Sequence, residues 1–231
     1  MPSPKTPVSP KPESLAKAPF DDARADLILQ SSDGVHFHIF KNILSLSSPI
    51  FSDMFNIPSS LSPKDHAVPV VPLSEHSTAL DIALRHIYPV QFPTGDILHY
   101  ASILAEFGRK YQVEMLDRFV IFYLKDYIER DPLGVYAIAV TYGYSNIGKS
   151  AAQLCLNIPL SGLESPYLRC ATVEHISELL RYHAACGKAA SAIASSDRAW
   201  FSSLVKNGIF ARPACRLCSM GDFVSPSHGG A

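Results

Sequence analysis

Two pairs of residues that could bind a metal lie near the end of the sequence, His183-Ala-Ala-Cys186 and Cys215-Arg-Leu-Cys218. Residues three apart in a helix occupy neighbouring positions on one face, so His183 and Cys186 can point to a common centre. A Cys-x-x-Cys pair brings two thiolates to a spacing that suits tetrahedral Zn²⁺. The pattern predicts a closed, structural zinc site with one histidine and three cysteine ligands.

A second interpretation of these residues needs no metal. His183 continues an apolar stripe with Ile176, Leu179 and Leu180 at helical spacing, where a hydrogen-bonded core histidine is common. The stretch 187–214 between the two pairs is longer than the usual gap of a zinc ribbon. Both interpretations stay open at the level of the sequence.

Other patterns that could do chemistry are less complete. The segment 143–148, Gly-Tyr-Ser-Asn-Ile-Gly, resembles a nucleophile elbow, but its second glycine comes one residue too late, and we expect a turn at a helix end. Cys155 and Cys170 fall in helical patterns without a paired histidine. His36 and His38 share one face of a predicted strand, where polar surface residues are expected. A Cys-dependent enzyme whose residues meet only in the fold is the remaining enzymatic alternative.

The composition is that of an ordinary globular protein, with 47% hydrophobic and 18% charged residues among 231. A net charge of -1 and the lack of a basic stripe argue against nucleic acid as a partner. No apolar run reaches the ~20 residues that cross a bilayer, so no membrane contact is expected. Five cysteines, an odd number, and a Pro-rich start without a signal core predict an intracellular protein of the cytoplasm or nucleus.

The first third of the chain predicts a hairpin followed by two short helices. Residues 26–30 read as a strand, Asp33-Gly34 as a tight turn and 35–39 as the returning strand. A short helix follows at 41–46, and Ser48-Pro49 supplies an N-cap and a first-turn proline for the next one.

Helices dominate the rest of the sequence. A third strand at 68–73 contains two prolines, which predict an edge position. Helical stripes or caps then follow at 77–88, 97–108, 116–127, from Asp131-Pro132 onward, and at 146–157 and 172–195. A small strand cluster followed by a run of helices predicts an α+β fold.

A family resemblance is carried by the residues from Asp26 to Phe55. Its elements are Asp26-Leu-Ile-Leu, Asp33-Gly34, Phe37-x-x-x-Lys41-x-Ile43-Leu44-Ser45 and Ser48-Pro49-Ile50-Phe51-x-x-Met54-Phe55. Their types and spacing resemble the opening of a BTB/POZ domain. The stretches 70–73, 84–89 and 105–124 resemble its later strand and helices, and 131–139 resembles a segment that follows the domain in fungal members. Phe40 stands where the family usually has histidine.

The resemblance implies a small β-sheet flanked by helices, followed by an all-helical region, and a protein–protein interaction module rather than an enzyme. Family members act as substrate adaptors for cullin-type ubiquitin ligases, as scaffolds, or as transcriptional regulators that recruit corepressors. Other proteins are therefore the expected partners, with a cullin and a second copy of the chain as candidates. A hydrophobic-x-Glu element before the third strand helps some members hold the cullin, and the loop 56–67 contains no glutamate.

The expected domain organisation has four parts. Residues 1–19 form a Pro-rich disordered tail, 20–128 the BTB/POZ-type domain, 129–218 a helical C-terminal region and 219–231 a second disordered tail. The segment 20–24 is too short for the extra helix that precedes the first strand in family members with domain-swapped dimers.

The zinc interpretation makes a direct prediction. Elemental analysis of the purified full-length protein should find about one equivalent of zinc, because four suitable ligands make a closed site. Cys215→Ser should lose that zinc and lower the melting temperature. Metal-free protein whose melting curve is unchanged by Cys215→Ser would contradict the zinc site.

Overall fold

The computed structural model describes residues 14–56, 68–159 and 164–196. The chain divides into two compact units, Met1–Phe122 and Tyr123–Ala231. The boundaries that the sequence predicts, 20–128 and 129–218, stay a prediction. The described strands are β1 (Ser14–Leu15), β2 (Leu27–Gln30), β3 (Val35–Ile39) and β4 (Val70–Pro72). The described helices are α1 (Lys41–Ser47), α2 (Pro49–Asn56), α3 (Ser77–Ile87), α4 (Ile97–Tyr111), α5 (Glu114–Tyr127), α6 (Pro132–Thr141), α7 (Ser145–Cys155) and α8 (Val173–Ser196), with a 3₁₀ turn at Pro166–Cys170.

The four described strands form one mixed sheet in the order β1-β3-β2-β4. Strands β2 and β3 are the predicted antiparallel hairpin, with Leu29 opposite Phe37. Gly34 has a φ of 85°, a left-handed conformation that glycine adopts without steric cost, and this explains the Asp-Gly turn. The α+β fold with a small sheet flanked by helices is confirmed.

Strand β4 lies at the edge of the sheet, as its prolines predict, and it runs parallel to β2. Ile28 N–H donates to the Pro69 carbonyl at 2.9 Å, and Leu73 N–H donates to the Gln30 carbonyl at 2.8 Å. Alternation along the strand therefore turns the backbone groups of Pro72 outward, where a missing N–H costs no sheet hydrogen bond.

The sheet begins earlier than the sequence predicts. The first strand that the sequence predicts is 26–30, yet residues 14–20 run along the outer edge of β3. Strand β1 pairs in parallel with Val35 and His36, and His38 N–H donates to the Phe20 carbonyl at 2.9 Å. The backbone groups on this side of β3 thereby acquire partners, which is the physical reason for the difference.

Phe20 holds this N-terminal segment in place. Its side chain is fully buried, with its ring centroid 5.8 Å from that of Phe37 and 5.5 Å from that of Tyr88. The Arg85 guanidinium lies over the ring at 5.6 Å and donates to the Ala18 carbonyl at 3.0 Å. Aromatic packing and a cation–π contact together explain why an otherwise Pro-rich segment joins the sheet.

The core of the first unit is built from alternate strand residues and from apolar residues of the helices. Alternate strand residues turn inward, so Leu27, Leu29, Phe37 and Ile39 are buried with residues from the helices. The buried helical residues include Leu44, Phe51, Leu80, Leu84, Leu98, Leu104, Leu116 and Val120. Phe55 is only half-buried, although its ring stacks on that of Phe51.

Side-chain caps define several helix starts. Ser48 Oγ accepts from Phe51 N–H at 3.1 Å, as the Ser48-Pro49 pattern predicts. The cap of α3 is His76 rather than the expected Ser77, and His76 Nδ1 accepts from Thr78 N–H at 3.3 Å. The backbone N–H and hydroxyl of Ser77 instead donate to Asp33 at 2.8 and 2.7 Å, which ties the hairpin turn to the helix.

Helix α6 is the centre of the second unit. It begins at the predicted Asp131-Pro132 start, where Asp131 accepts from Gly134 N–H at 2.8 Å and from the Ser165 hydroxyl at 2.7 Å. Every residue from Pro132 to Ala139 is buried, because the helix is apolar on all sides and is packed by α7, α8 and the 3₁₀ turn. The Tyr136 hydroxyl donates to the His175 carbonyl at 2.9 Å.

Within the described ranges, none of the helices combines the length and apolarity needed to span a bilayer.

The burial of Phe20 makes one prediction. Phe20→Ala should lower the free energy of unfolding by about 3–5 kcal/mol, the usual cost of emptying a buried aromatic site. Leu15→Ala is the matched control, since Leu15 in β1 is 54% exposed, and it should cost no more than about 0.5 kcal/mol. Urea denaturation followed by circular dichroism measures both, and equal losses would contradict the anchoring role of Phe20.

Two glycines in helices should respond to alanine in opposite ways. A Cβ on Gly134 would lie 2.3 Å from Asp131 Oδ2 and 2.7 Å from Ser165 Oγ, so Gly134→Ala should break the cap and cost about 1–2 kcal/mol. A Cβ on Gly187 meets no described atom within 4 Å, so Gly187→Ala should stabilise by about 0.5–1 kcal/mol. Thermal melting of the two variants tests the contrast, and a shift of the same sign in both would contradict it.

Candidate functional site

The two described members of the predicted zinc site lie on helix α8. His183 is half-buried, and its Nε2 lies 3.4 Å from the Ile158 carbonyl oxygen. Cys186 is buried one turn further along. This arrangement agrees with the shared face predicted from the i, i+3 spacing, and it also contains the backbone contact that the core-histidine interpretation expects.

The other two predicted ligands, Cys215 and Cys218, lie outside the described residues. Among the residues that the structure describes, no three His, Cys, Asp or Glu side chains come together as a metal-binding group. The four-ligand zinc site therefore stays a prediction.

The segment that resembles a nucleophile elbow ends one helix and starts another. Gly143 has a φ of 82° directly after α6, and Ser145 is the first residue of α7. The expected turn at a helix end is confirmed. Cys155 is fully buried at the end of α7, and burial, followed by the nearby Asp131 charge, raises the pKa of its thiol to about 11. A thiol with this pKa is protonated at neutral pH and is a poor nucleophile.

The two histidines of strand β3 are half-buried, and each makes a polar contact. His36 Nε2 lies 3.2 Å from the Gln30 amide nitrogen, and His38 Nδ1 lies 3.3 Å from the Asp22 carbonyl oxygen. Both imidazoles thus make polar contacts on one face of the sheet.

A groove on the first unit is the candidate binding feature. It lies between the start of α3 with the residues just before it and the outer face of α4, and its volume is about 270 Å³. The lining residues are Ser74, Glu75, His76, Ala79, Ile103, Glu106, Phe107 and Lys110. Ala79, Ile103 and Phe107 are the apolar part of the lining, which we call the floor, and the other five lining residues are polar or charged.

An ion pair forms part of the wall of this groove. The Lys110 ammonium donates to Glu75 Oε1 and to the Ser74 hydroxyl, the latter at 2.6 Å. The other carboxylate oxygen of Glu75 accepts from the Tyr111 hydroxyl at 2.8 Å. Both oxygens of Glu75 and the charge of Lys110 are therefore engaged within the fold.

The titration of these groups follows from their contacts. Burial acts to raise the pKa of Glu75, but hydrogen bonds from Lys110 and Tyr111 outweigh it, so the pKa is lowered and Glu75 is ionised at neutral pH. Burial and the hydrogen bond to Glu75 raise the pKa of Tyr111, which therefore keeps its donor proton.

Glu106 is a charged lining residue that takes no part in the contacts of Glu75 and Lys110. Its side chain is exposed on α4, and within the described part of the chain its carboxylate has neither a hydrogen bond nor an ion pair. Since the charge of Lys110 is balanced by Glu75, the groove carries one uncompensated negative charge beside an apolar floor.

Sequence reasoning did not find this groove. Glu75 and Lys110 are 35 positions apart, and Glu75 falls between a strand and a helix where no periodic signal exists. The only available signal was the pair Glu106 and Lys110, which lie one turn apart beside the apolar stripe of α4 and are equally typical of a solvated helix face.

Exposed apolar side chains mark two further surfaces of the first unit. Leu46 in α1 is 89% exposed. Phe92 and Phe122 are 48% and 65% exposed, and the Phe92 ring packs 5.4 Å from that of Phe119. His86 lies buried under these rings, and burial lowers its pKa more than the hydrogen bond to the Ile82 carbonyl raises it. Protein-binding surfaces commonly expose such residues.

Comparison with known proteins gives one family. The family model of the BTB/POZ domain matches residues 18–127. No curated protein sequence matches the chain. The matched range contains strands β2–β4, helices α1–α5 and every residue that lines the groove. BTB domains bind other proteins and mediate dimerisation, and they are generally interaction modules rather than enzymes. Residues 18–127 of this chain are a BTB/POZ domain.

Proposed function

We propose that this protein is an adaptor or scaffold, which holds one partner on its BTB/POZ domain and a second on the helical region that follows. In the adaptor form of the proposal, the first partner is a cullin-type ubiquitin ligase and the second is its substrate. The observation that carries the proposal is the second compact unit, which has its own buried helix α6 and its own hydrogen-bonded caps.

A protein that joins two partners needs two folded parts with separate surfaces. The BTB/POZ domain offers the groove and the exposed Leu46, Phe92 and Phe122. Helix α8 of the second unit exposes Val173, Leu180 and Ile193. Large apolar side chains in water favour burial against another protein.

The titratable groups with shifted pKa values fit a binding role better than a catalytic one. Tyr88 is an example, because burial raises its pKa to about 12, against the effect of its hydrogen bond with the Phe40 N–H. The Tyr88 hydroxyl accepts that backbone N–H and so supports the start of α1. An intracellular location, in the cytoplasm or nucleus, is part of the same proposal.

The cullin form of the proposal can be tested by adding the hydrophobic-x-Glu element that the loop 56–67 lacks. Pro63→Glu would create a hydrophobic-x-Glu sequence with Leu61. If the BTB/POZ domain holds a cullin in the manner of its family, this variant should bind recombinant cullin about tenfold more tightly than the wild type, as expected for one hydrogen bond to a charged group. Biolayer interferometry with the full-length chain and an immobilised cullin N-terminal domain measures the affinity.

Pro63→Gln is the matched control, because it also removes the proline and adds a side chain of similar size without the charge. It should bind like the wild type. Absence of cullin binding by the wild type and by Pro63→Glu would contradict the cullin form and leave the scaffold form.

A further inference from the structure

We infer that the groove between residues 74–79 and helix α4 binds a segment of a partner protein that carries an apolar side chain next to a lysine or arginine. This inference rests on the proposed binding role of the domain and names the chemistry of one partner. It does not require that partner to be a cullin.

The size and lining of the groove favour one or two side chains. Its volume of about 270 Å³ lies just below the ~300–1,000 Å³ of small-molecule and cofactor sites. Ala79 and Ile103 are half-buried and Phe107 is buried, so these three residues offer apolar contact, while the other five lining residues are polar or charged. An aliphatic side chain of a partner would remove this floor from water.

The charges of the groove determine which residue type is favoured next to the apolar residue of the partner segment. Glu75 and Lys110 neutralise each other, and Glu75 is further held by Tyr111. The exposed carboxylate of Glu106 has no partner among the described residues. A cationic residue beside the apolar one would pair with Glu106, whereas an anionic residue would be repelled.

The part of the groove wall that contains the Lys110–Glu75 ion pair is held rigid by the core. The Tyr111 ring stacks on the buried Phe51 ring with centroids 4.6 Å apart, and its hydroxyl fixes Glu75. Lys110 is in turn fixed between Glu75 and Ser74. Such preorganisation lowers the entropy cost of binding, because these side chains do not have to be ordered by the partner.

A pair of synthetic peptides provides the test. One blocked peptide carries leucine next to lysine, and the second has glutamate in place of the lysine. The full-length wild type should bind the lysine peptide about tenfold more tightly, as expected from one attractive and one repulsive rim contact. Fluorescence anisotropy gives the affinities, and ¹⁵N NMR should place the largest amide shifts at Ile103, Glu106 and Phe107.

Charge reversal supplies the decisive variant. Glu106→Lys should invert the preference, so that the glutamate peptide binds more tightly. Glu129→Lys is the matched control, because Glu129 is also exposed but does not line the groove, and it should keep the wild-type preference. An unchanged preference in Glu106→Lys, or shifts confined to residues outside the groove, would overturn the inference.

Two further measurements are needed. One shows whether the chain's own N-terminal segment occupies the groove, and the other distinguishes failure of this inference from failure of the proposed cullin binding. If peptide binding appears only after removal of residues 1–13, the groove belongs to the chain's own N-terminal segment, and the inference is wrong. Cullin binding is measured in parallel on the same proteins. Peptide binding without cullin binding contradicts only the cullin form of the proposed function, and cullin binding without peptide binding contradicts only the inference.

Discussion

The stack of Phe51 on Tyr111 connects the core of the BTB/POZ domain with its surface. The two rings lie 4.6 Å apart, with Phe51 fully buried and Tyr111 nearly so. The Ser48 hydroxyl donates to the Tyr111 carbonyl, so the start of α2 is tied to the end of α4. The Tyr111 hydroxyl then fixes Glu75 in the wall of the groove. One aromatic contact thus positions two helices and a surface carboxylate that are far apart in sequence.

A second constraint is the edge of the sheet. Strand β3 would leave its outer backbone groups without protein partners if residues 14–20 did not run beside it. Burial of Phe20 against Phe37 and Tyr88 supplies the energy that orders this segment. The opposite edge is β4, where proline limits the donors available to another strand. The sheet therefore presents little free edge, and we place partner binding on helices and on the groove.

Several polar groups of the fold make structural contacts. Asp131 caps α6, the Cys155 thiol is buried and protonated, and the Tyr136 hydroxyl holds a backbone carbonyl of α8. An interaction protein needs such fixed groups, because a rigid surface loses less conformational entropy when a partner binds. The proposed adaptor role and the peptide groove both depend on this rigidity.

Local patterns in the sequence determined the hairpin, its Asp-Gly turn, the Ser48 and Asp131 caps and the succession of helices, because turns, caps and apolar periodicity depend on residues a few positions apart. They also carried the resemblance to the BTB/POZ family over 26–55. Only the tertiary structure decided that residues 14–20 join the sheet, that His76 rather than Ser77 caps α3, and that Glu75, Lys110 and Glu106 surround one groove. These features depend on contacts between residues tens of positions apart. No local period encodes which distant side chains a packed core will bring together.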